Sequence, residues 1–151
     1  SIYIEAFKLA NPIPSASRIG GIVASGIING VDPATGRVAA TLEDQCRHMF
    51  AHMKRIVEAS GGSTDDIIKM SVWMVDRSQR DVLNREWLQM FPDEHSRPAR
   101  HTAQANNAAT AASTTTTIAS SRCTERLIRF RFGASRRLGG FNSAGCSRTG
   151  Q

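Results

Sequence analysis

A chain of 151 residues is the length of one ordinary domain, and no apolar run of 18 residues or more is present to cross a membrane. Its formal charge of +6 is unevenly placed: residues 1–102 hold 3 Lys and 9 Arg against 12 Asp plus Glu, whereas residues 103–151 hold 7 Arg and one acid, Glu125. The first 102 residues are therefore electrostatically balanced, which argues against a phosphate-binding face there and leaves nucleic acid as a partner only for the basic tail.

Ile2, Ile4, Ala6 and Lys8 alternate with Tyr3, Glu5, Phe7 and Leu9, which predicts a first strand; the charges of Glu5 and Lys8 do not suit a signal peptide. Asn11-Pro12-Ile13-Pro14 breaks regular structure, and Arg18 to Ser25 predicts a second strand whose paired glycines mark a bulge or a close backbone approach. Val31-Asp32-Pro33-Ala34-Thr35-Gly36 reads as a loop containing a turn.

Thr41 opens a helix, with Asp44 placed three residues on as in a capping box. Leu42, Cys46, Met49, Phe50, Met53, Ile56 and Val57 form its apolar stripe, and Gly61-Gly62 ends it. Ile67 to Asp76 predicts a strand with Ile68, Met70, Val72 and Met74 on one face and a partly apolar second face bearing Trp73 and Val75. Ser78 with Asp81 caps a second helix, whose buried stripe is Leu83, Trp87, Met90 and Phe91 and whose stop is Pro92. The order is β-β-α-β-α, followed by a strand beginning at Arg100. Two helices on one side of such a sheet leave its other face bare, which predicts further strands or a partner subunit.

At that last strand stands Arg97-Pro98-Ala99-Arg100-His101-Thr102. Proline presets the backbone, alanine leaves room, and an arginine presents a planar fork suited to a carboxylate. Taken alone, the same arginine reads equally as a surface charge.

After Thr102 the pattern changes. Ala103 to Thr117 has no large apolar residue and is dominated by Ala, Thr, Asn and Ser; the remainder is rich in Arg, Ser and Gly. Residues 1–102 are therefore read as the domain and 103–151 as a low-complexity tail, such as a shift in reading frame would produce. Within the tail, Leu127 to Phe132 retains alternation, either an added strand or part of a poorly packed extension. Three cysteines (Cys46, Cys123 and Cys146), odd in number and without metal-ligand spacing, suit a reduced cytoplasmic protein.

Several motifs, in order, give the chain its resemblance to a known family: Ala24-Ser25-Gly26, Asp32 to Gly36, Gln45-Cys46-Arg47, Val57 to Gly61, Asp65 to Lys69, Asn84, and Arg97 to Thr102. Together they resemble the Rid/YjgF family of enamine/imine deaminases, also labelled L-PSP endoribonucleases or translation initiation inhibitors, over residues 15–102. The resemblance implies a chorismate-mutase-like α+β fold, β-β-α-β-α-β with two helices on one face of the sheet, assembled as a homotrimer with ligand clefts between subunits. It implies hydrolysis of small enamines or imines of 2-amino acids to 2-keto acids and ammonia, without metal or cofactor.

By the same resemblance, Arg100 grips the substrate carboxylate and Asn84 borders the cleft, the two forming the catalytic pair. Ser25 and Gly26 offer ligand contacts, and Thr102, at a position that is often cysteine in relatives, points toward the cleft as a further substrate-binding residue. Two features depart from the family pattern. Pro12 to Ser17 lacks the usual tyrosine, and the glutamate of the last strand has no counterpart unless Glu125 fills the role.

His48 and His52, at i and i+4 without a further ligand, are expected as solvent-facing helix residues. His95 and His101 flank Arg100, with His101 expected either behind the site or in loop hydrogen bonding. Two further functional readings stand beside the deaminase: an RNA-binding translation inhibitor acting through the basic tail, and a ligand-binding trimer without turnover.

Overall fold

The computed structural model describes residues 1–4, 12–106 and 112–119. Its strands are β1 (Ala16–Ile19), β2 (Ile22–Ser25), β3 (Ile28–Asn29), β4 (Ile67–Met74), β5 (Ala99–Gln104) and β6 (Ala112–Ala119); its helices are α1 (Leu42–Ala59) and α2 (Arg80–Met90). The strands form one mixed sheet in the order β1-β2-β6-β4-β5, with β3 also paired to β6. β5 runs parallel to β4, the two joined through α2, while β6 is antiparallel to both β2 and β4. An α+β fold of this kind agrees with the expected class, with more strands than the expected β-β-α-β-α-β.

The segment read as a single strand from Arg18 to Ser25 is a hairpin. Ile19 pairs with Ile22 across a two-residue loop, and Gly20 sits at φ +57°, where a side chain is strained. The paired glycines therefore turn the chain. Ahead of the hairpin, Ile2 exchanges backbone hydrogen bonds of 2.7 and 3.2 Å with Ala16. Most of the first strand expected from the N-terminal alternation lies outside the described residues.

α1 follows its sequence signals closely. The Thr41 hydroxyl accepts the Asp44 amide at 3.1 Å and donates to the Asp44 carboxylate at 2.9 Å, and Gly61 at φ +84° ends the helix. Its stripe of Cys46, Met49, Phe50, Met53, Ile56 and Val57 is buried against Val23, Ile28, Met70, Val72, Met74 and Ile118 of the sheet. Each large side chain there contributes about 1.5–3 kcal/mol by leaving water. α1 passes so close to the sheet that a Cβ on Gly30 would lie 2.4 Å from the Gln45 Cα.

Two further expectations change. The register of β4 shifts between Ile67 and Lys69, so Ile67 enters the core and Ile68 is 52% exposed. The second helix is preceded by a 3₁₀ turn, Arg77–Gln79, capped by Asp76 through the Ser78 amide rather than by Ser78 itself.

The largest difference lies beyond residue 102. β5 continues through Gln104, and β6, drawn from the Ala/Thr stretch, occupies the middle of the sheet. Thr114, Thr116 and Ile118 are buried toward the helices. The Thr114 hydroxyl donates to the Ser71 carbonyl at 2.9 Å and the Thr116 hydroxyl to Met53 Sδ at 3.1 Å, so neither buried oxygen is left unbonded. Threonine is β-branched and favours extended backbone; once its hydroxyl is bonded, it serves as a core residue. Glu125, Leu127 to Phe132, Cys123 and Cys146 lie outside the described residues.

Candidate active site

Arg97 and Arg100, three residues apart, do different work. Arg97 Nε donates to the Phe91 carbonyl at 2.9 Å and Nη2 to the Pro92 carbonyl at 3.1 Å, closing the C-terminal end of α2. Pro98 is buried, and β5 then carries Arg100 opposite Met70 of β4, on the sheet face that meets the helices. Arg100 Nη2 donates to Asn84 Oδ1 at 2.8 Å, and its guanidinium lies 4.6 Å over the Trp87 ring. Asn84 and Trp87, one turn apart on α2, hold the fork from two sides. Arg100 Nη1 is buried and, among the described residues, has no hydrogen-bond partner.

Burial and the nearby charge of Arg80 hold the Arg100 pKa below its ordinary value, yet a guanidinium remains protonated throughout the physiological range. Among the described residues no carboxylate acts on it. The arrangement is thus a half-buried cation with an oriented and unused donor, which is the chemistry of an anion site.

The other expected ligand residues are placed elsewhere. The Ser25 hydroxyl accepts the Thr116 amide at 2.8 Å, Thr116 pairs with Met70, and Met70 with Arg100. Ser25 therefore stands three strand spacings from Arg100, roughly 14 Å away. Its neighbour Gly26 donates its amide to the Ser15 carbonyl at 2.9 Å. Thr102 is half-buried two residues along β5 from Arg100, opposite Val72. Within one chain, Arg100 and Asn84 meet, Thr102 lies on the same face, and Ser25 and Gly26 do not join them.

Among the described residues of the sheet, no carboxylate or imidazole stands on the face that carries Arg100. β6, the strand at the middle of the sheet, reads Ala-Ser-Thr-Thr-Thr-Thr-Ile-Ala and has no carboxylate. His101 is exposed in β5, on the alternate face from Arg100, and His95 is exposed beside Glu94. His52, expected to face solvent, is instead buried, and its Nε2 donates to the Val31 carbonyl at 2.6 Å. Among the described residues no group of three His, Cys, Asp or Glu side chains is placed to hold a metal ion.

Two residues of the site escaped the sequence reading. Trp87 was legible as core but not as the ring beneath Arg100, and Arg80 was not singled out. The spacing Arg80, Asn84, Trp87 places all three along one helical stripe, a signal available in the sequence.

A family model described as Endoribonuclease L-PSP matches residues 4–114. TdcF of Escherichia coli K12 is 42% identical over 65 residues, 43% of this chain and 50% of that protein, so this chain spans about half of TdcF's length. The 2-iminobutanoate/2-iminopropanoate deaminase of Escherichia coli K12 is 35% identical over 99 residues, 65% of this chain and 70% of that protein. Among solved structures, Escherichia coli TdcF with bound serine has a TM-score of 0.72 at 25% identity, covering 80% of this chain and 99% of that one. TM0215 of Thermotoga maritima, at 21% identity and a TM-score of 0.73, shares the fold over 80% of this chain and 97% of that one.

Proposed function

Because this chain belongs to the Rid/YjgF family, the family of the Endoribonuclease L-PSP model, we propose that it hydrolyses small 2-imino acids to 2-oxo acids and ammonia. The observation that carries the proposal is the Arg100 guanidinium, fixed by Asn84 and Trp87 with its buried Nη1 free of any described partner. Support at the level of relatives comes from the Escherichia coli deaminase of 2-iminobutanoate and 2-iminopropanoate and from the serine bound to TdcF, a small molecule with a carboxylate.

The chemistry demands little of the protein. A protonated imine carbon is already electrophilic. Water adds to C2, the C=N π electrons pass to nitrogen, and the resulting carbinolamine expels ammonia as the C=O bond forms. The protons released by the water leave on ammonia, as ammonium, and restore charge balance. Arg100 holds the substrate carboxylate, worth on the order of 1.5–3 kcal/mol for a charge-assisted pair, and Asn84 keeps the fork aimed. A neighbouring copy closing over the half-buried Arg100 would enclose the site and orient one water against the imine.

A homotrimer is the assembly proposed for this site. On the sheet face away from the helices, Lys69 of β4 is exposed and Ser71 and Trp73 of β4 and Thr115 and Thr117 of β6 are half-buried. Ile19 and Ile22 at the hairpin are 86% and 58% exposed. A second copy laid against that face would cover apolar surface and could bring Ser25 and Gly26 of one chain to Arg100 of another.

The test is to generate 2-iminopropanoate in the presence of semicarbazide and measure semicarbazone with and without the full chain. The proposal expects the protein to suppress the trapped product and hasten ammonia release. Identical traces with and without protein would count against it.

A further inference from the structure

We infer that the Arg100 site is built for ligands with two anionic groups, the 2-imino and 2-oxo dicarboxylic acids, with Arg80 as the residue that selects the second carboxylate. The inference rests on the reading of Arg100 as a carboxylate anchor and goes beyond it by naming the substrate class.

Arg80 is the first residue of α2, one helical turn before Asn84, whose side chain holds Arg100 at 2.8 Å. Residues four apart on a helix lie one above the other, so Arg80, Asn84 and Trp87 form a single stripe with the Arg100 fork laid across its end. Two guanidiniums therefore share one patch of surface. Among the described residues Arg80 is the charged group that acts on Arg100, and like charges brought together beside a half-buried site destabilise each other unless an anion lies between them.

The described acids do not supply that anion. Ion pairs join Arg47 to Asp44, Lys54 to Glu58 and His95 to Glu94, and neither Arg80 nor Arg100 takes part in one. Asp76, at the start of the turn leading into α2, is committed to capping. Its Oδ1 accepts the Ser78 amide at 2.9 Å and hydroxyl at 2.6 Å, and its Oδ2 accepts Gln79 Nε2 at 3.0 Å. Asp81 follows Arg80 directly, and adjacent helix residues project to different faces.

The donors left over describe their ligand. Arg100 Nη1 is buried and unpartnered, while Arg80 is exposed on a long side chain that can swing over a bound molecule. One carboxylate on each guanidinium places the central carbon of a short dicarboxylate beside Asn84. A monocarboxylate leaves Arg80 with nothing to bind.

The experiment is calorimetric titration of the full chain with 2-oxoglutarate and with 2-oxopentanoate, acids of equal carbon count that differ in the second carboxylate. The inference expects 2-oxoglutarate to bind about tenfold more tightly, the size of one added charge-assisted contact. Arg80→Gln is expected to bring the ratio near one, and Arg80→Lys to restore part of it. Arg100→Ala is expected to weaken both acids. Equal affinities in the wild type, or a preference that survives Arg80→Gln, overturns the inference, including the case in which a neighbouring copy supplies the missing carboxylate. Turnover of 2-iminopropanoate without any dicarboxylate preference defeats this inference alone, whereas failure to bind either acid removes the Arg100 anchor and defeats both readings.

Discussion

Arg100 reaches from β5 to α2 to donate a 2.8 Å hydrogen bond to Asn84, so the strand and the helix it follows are joined at the site itself. The bond uses one end of the guanidinium fork and leaves the other for a ligand. Replacing Asn84 by Ala removes the acceptor and frees the fork to rotate, and KM for an imino acid is expected to rise roughly 5- to 30-fold, with a smaller change in kcat. Asn84→Asp is expected to raise KM further, because a carboxylate on Arg100 competes with that of the substrate. Steady-state kinetics of the two variants separate these outcomes, and a lower KM in Asn84→Asp contradicts the role assigned here.

Ser25 offers a contrast between the role implied by resemblance and the bond it makes. Its hydroxyl accepts the Thr116 amide at 2.8 Å, tying β2 to the central strand where their regular pairing ends. Ser25→Ala leaves that amide without its acceptor and is expected to cost about 1–3 kcal/mol of stability, read as a drop in denaturation midpoint at constant m-value. A loss in kcat/KM well beyond the loss in folded protein would show that the hydroxyl also touches substrate.

His52 makes stability depend on pH. Burial lowers its pKa from the ordinary value of 6.5, even though the bond to Val31 opposes the shift. The unfolded chain therefore binds a proton more readily than the folded one. The contribution is complete above pH about 6.5 and is lost as pH falls from there through the depressed folded value. Urea titrations between pH 8 and 5 are expected to show a declining midpoint, and His52→Gln to flatten that decline.

Cys46 is a core residue of α1. It is fully buried in α1, and burial, aided by Glu86 and Glu43, pushes its thiol up to about 12. Thiolate is the reactive form, so Cys46 is expected to resist iodoacetamide at pH 8 under native conditions and to react on unfolding, as followed by mass spectrometry of the Cys46 peptide. Rapid native labelling at this position would contradict the packing described for α1.

Where the sequence signals were local and chemical, they were legible. Thr41 with Asp44, the stripe from Cys46 to Val57 and the Gly61 stop mark α1 within a residue, because capping and amphipathic spacing act within a few turns. The Arg100 and Asn84 pair was legible only through resemblance, since nothing in residues 84 and 100 alone says that a strand and a helix will bring them together. The hairpin at Gly20-Gly21 could have been read from two glycines between β-branched residues. β6 could not be read from hydrophobic size: Thr114 and Thr116 become core residues because Ser71 and Met53 accept their hydroxyls, and those partners lie 43 and 63 residues away. Long-range satisfaction of polar groups lets this sheet include a strand beyond the change of composition at residue 102.

The central claim is that the Arg100 guanidinium holds the substrate carboxylate. The direct measurement is kcat/KM for 2-iminopropanoate in the wild type and in Arg100→Ala, with the folded state of each verified by its thermal midpoint. A loss of roughly 10- to 150-fold in a folded variant, the equivalent of 1.5–3 kcal/mol, is the predicted result. Unchanged kcat/KM in folded Arg100→Ala would contradict the account.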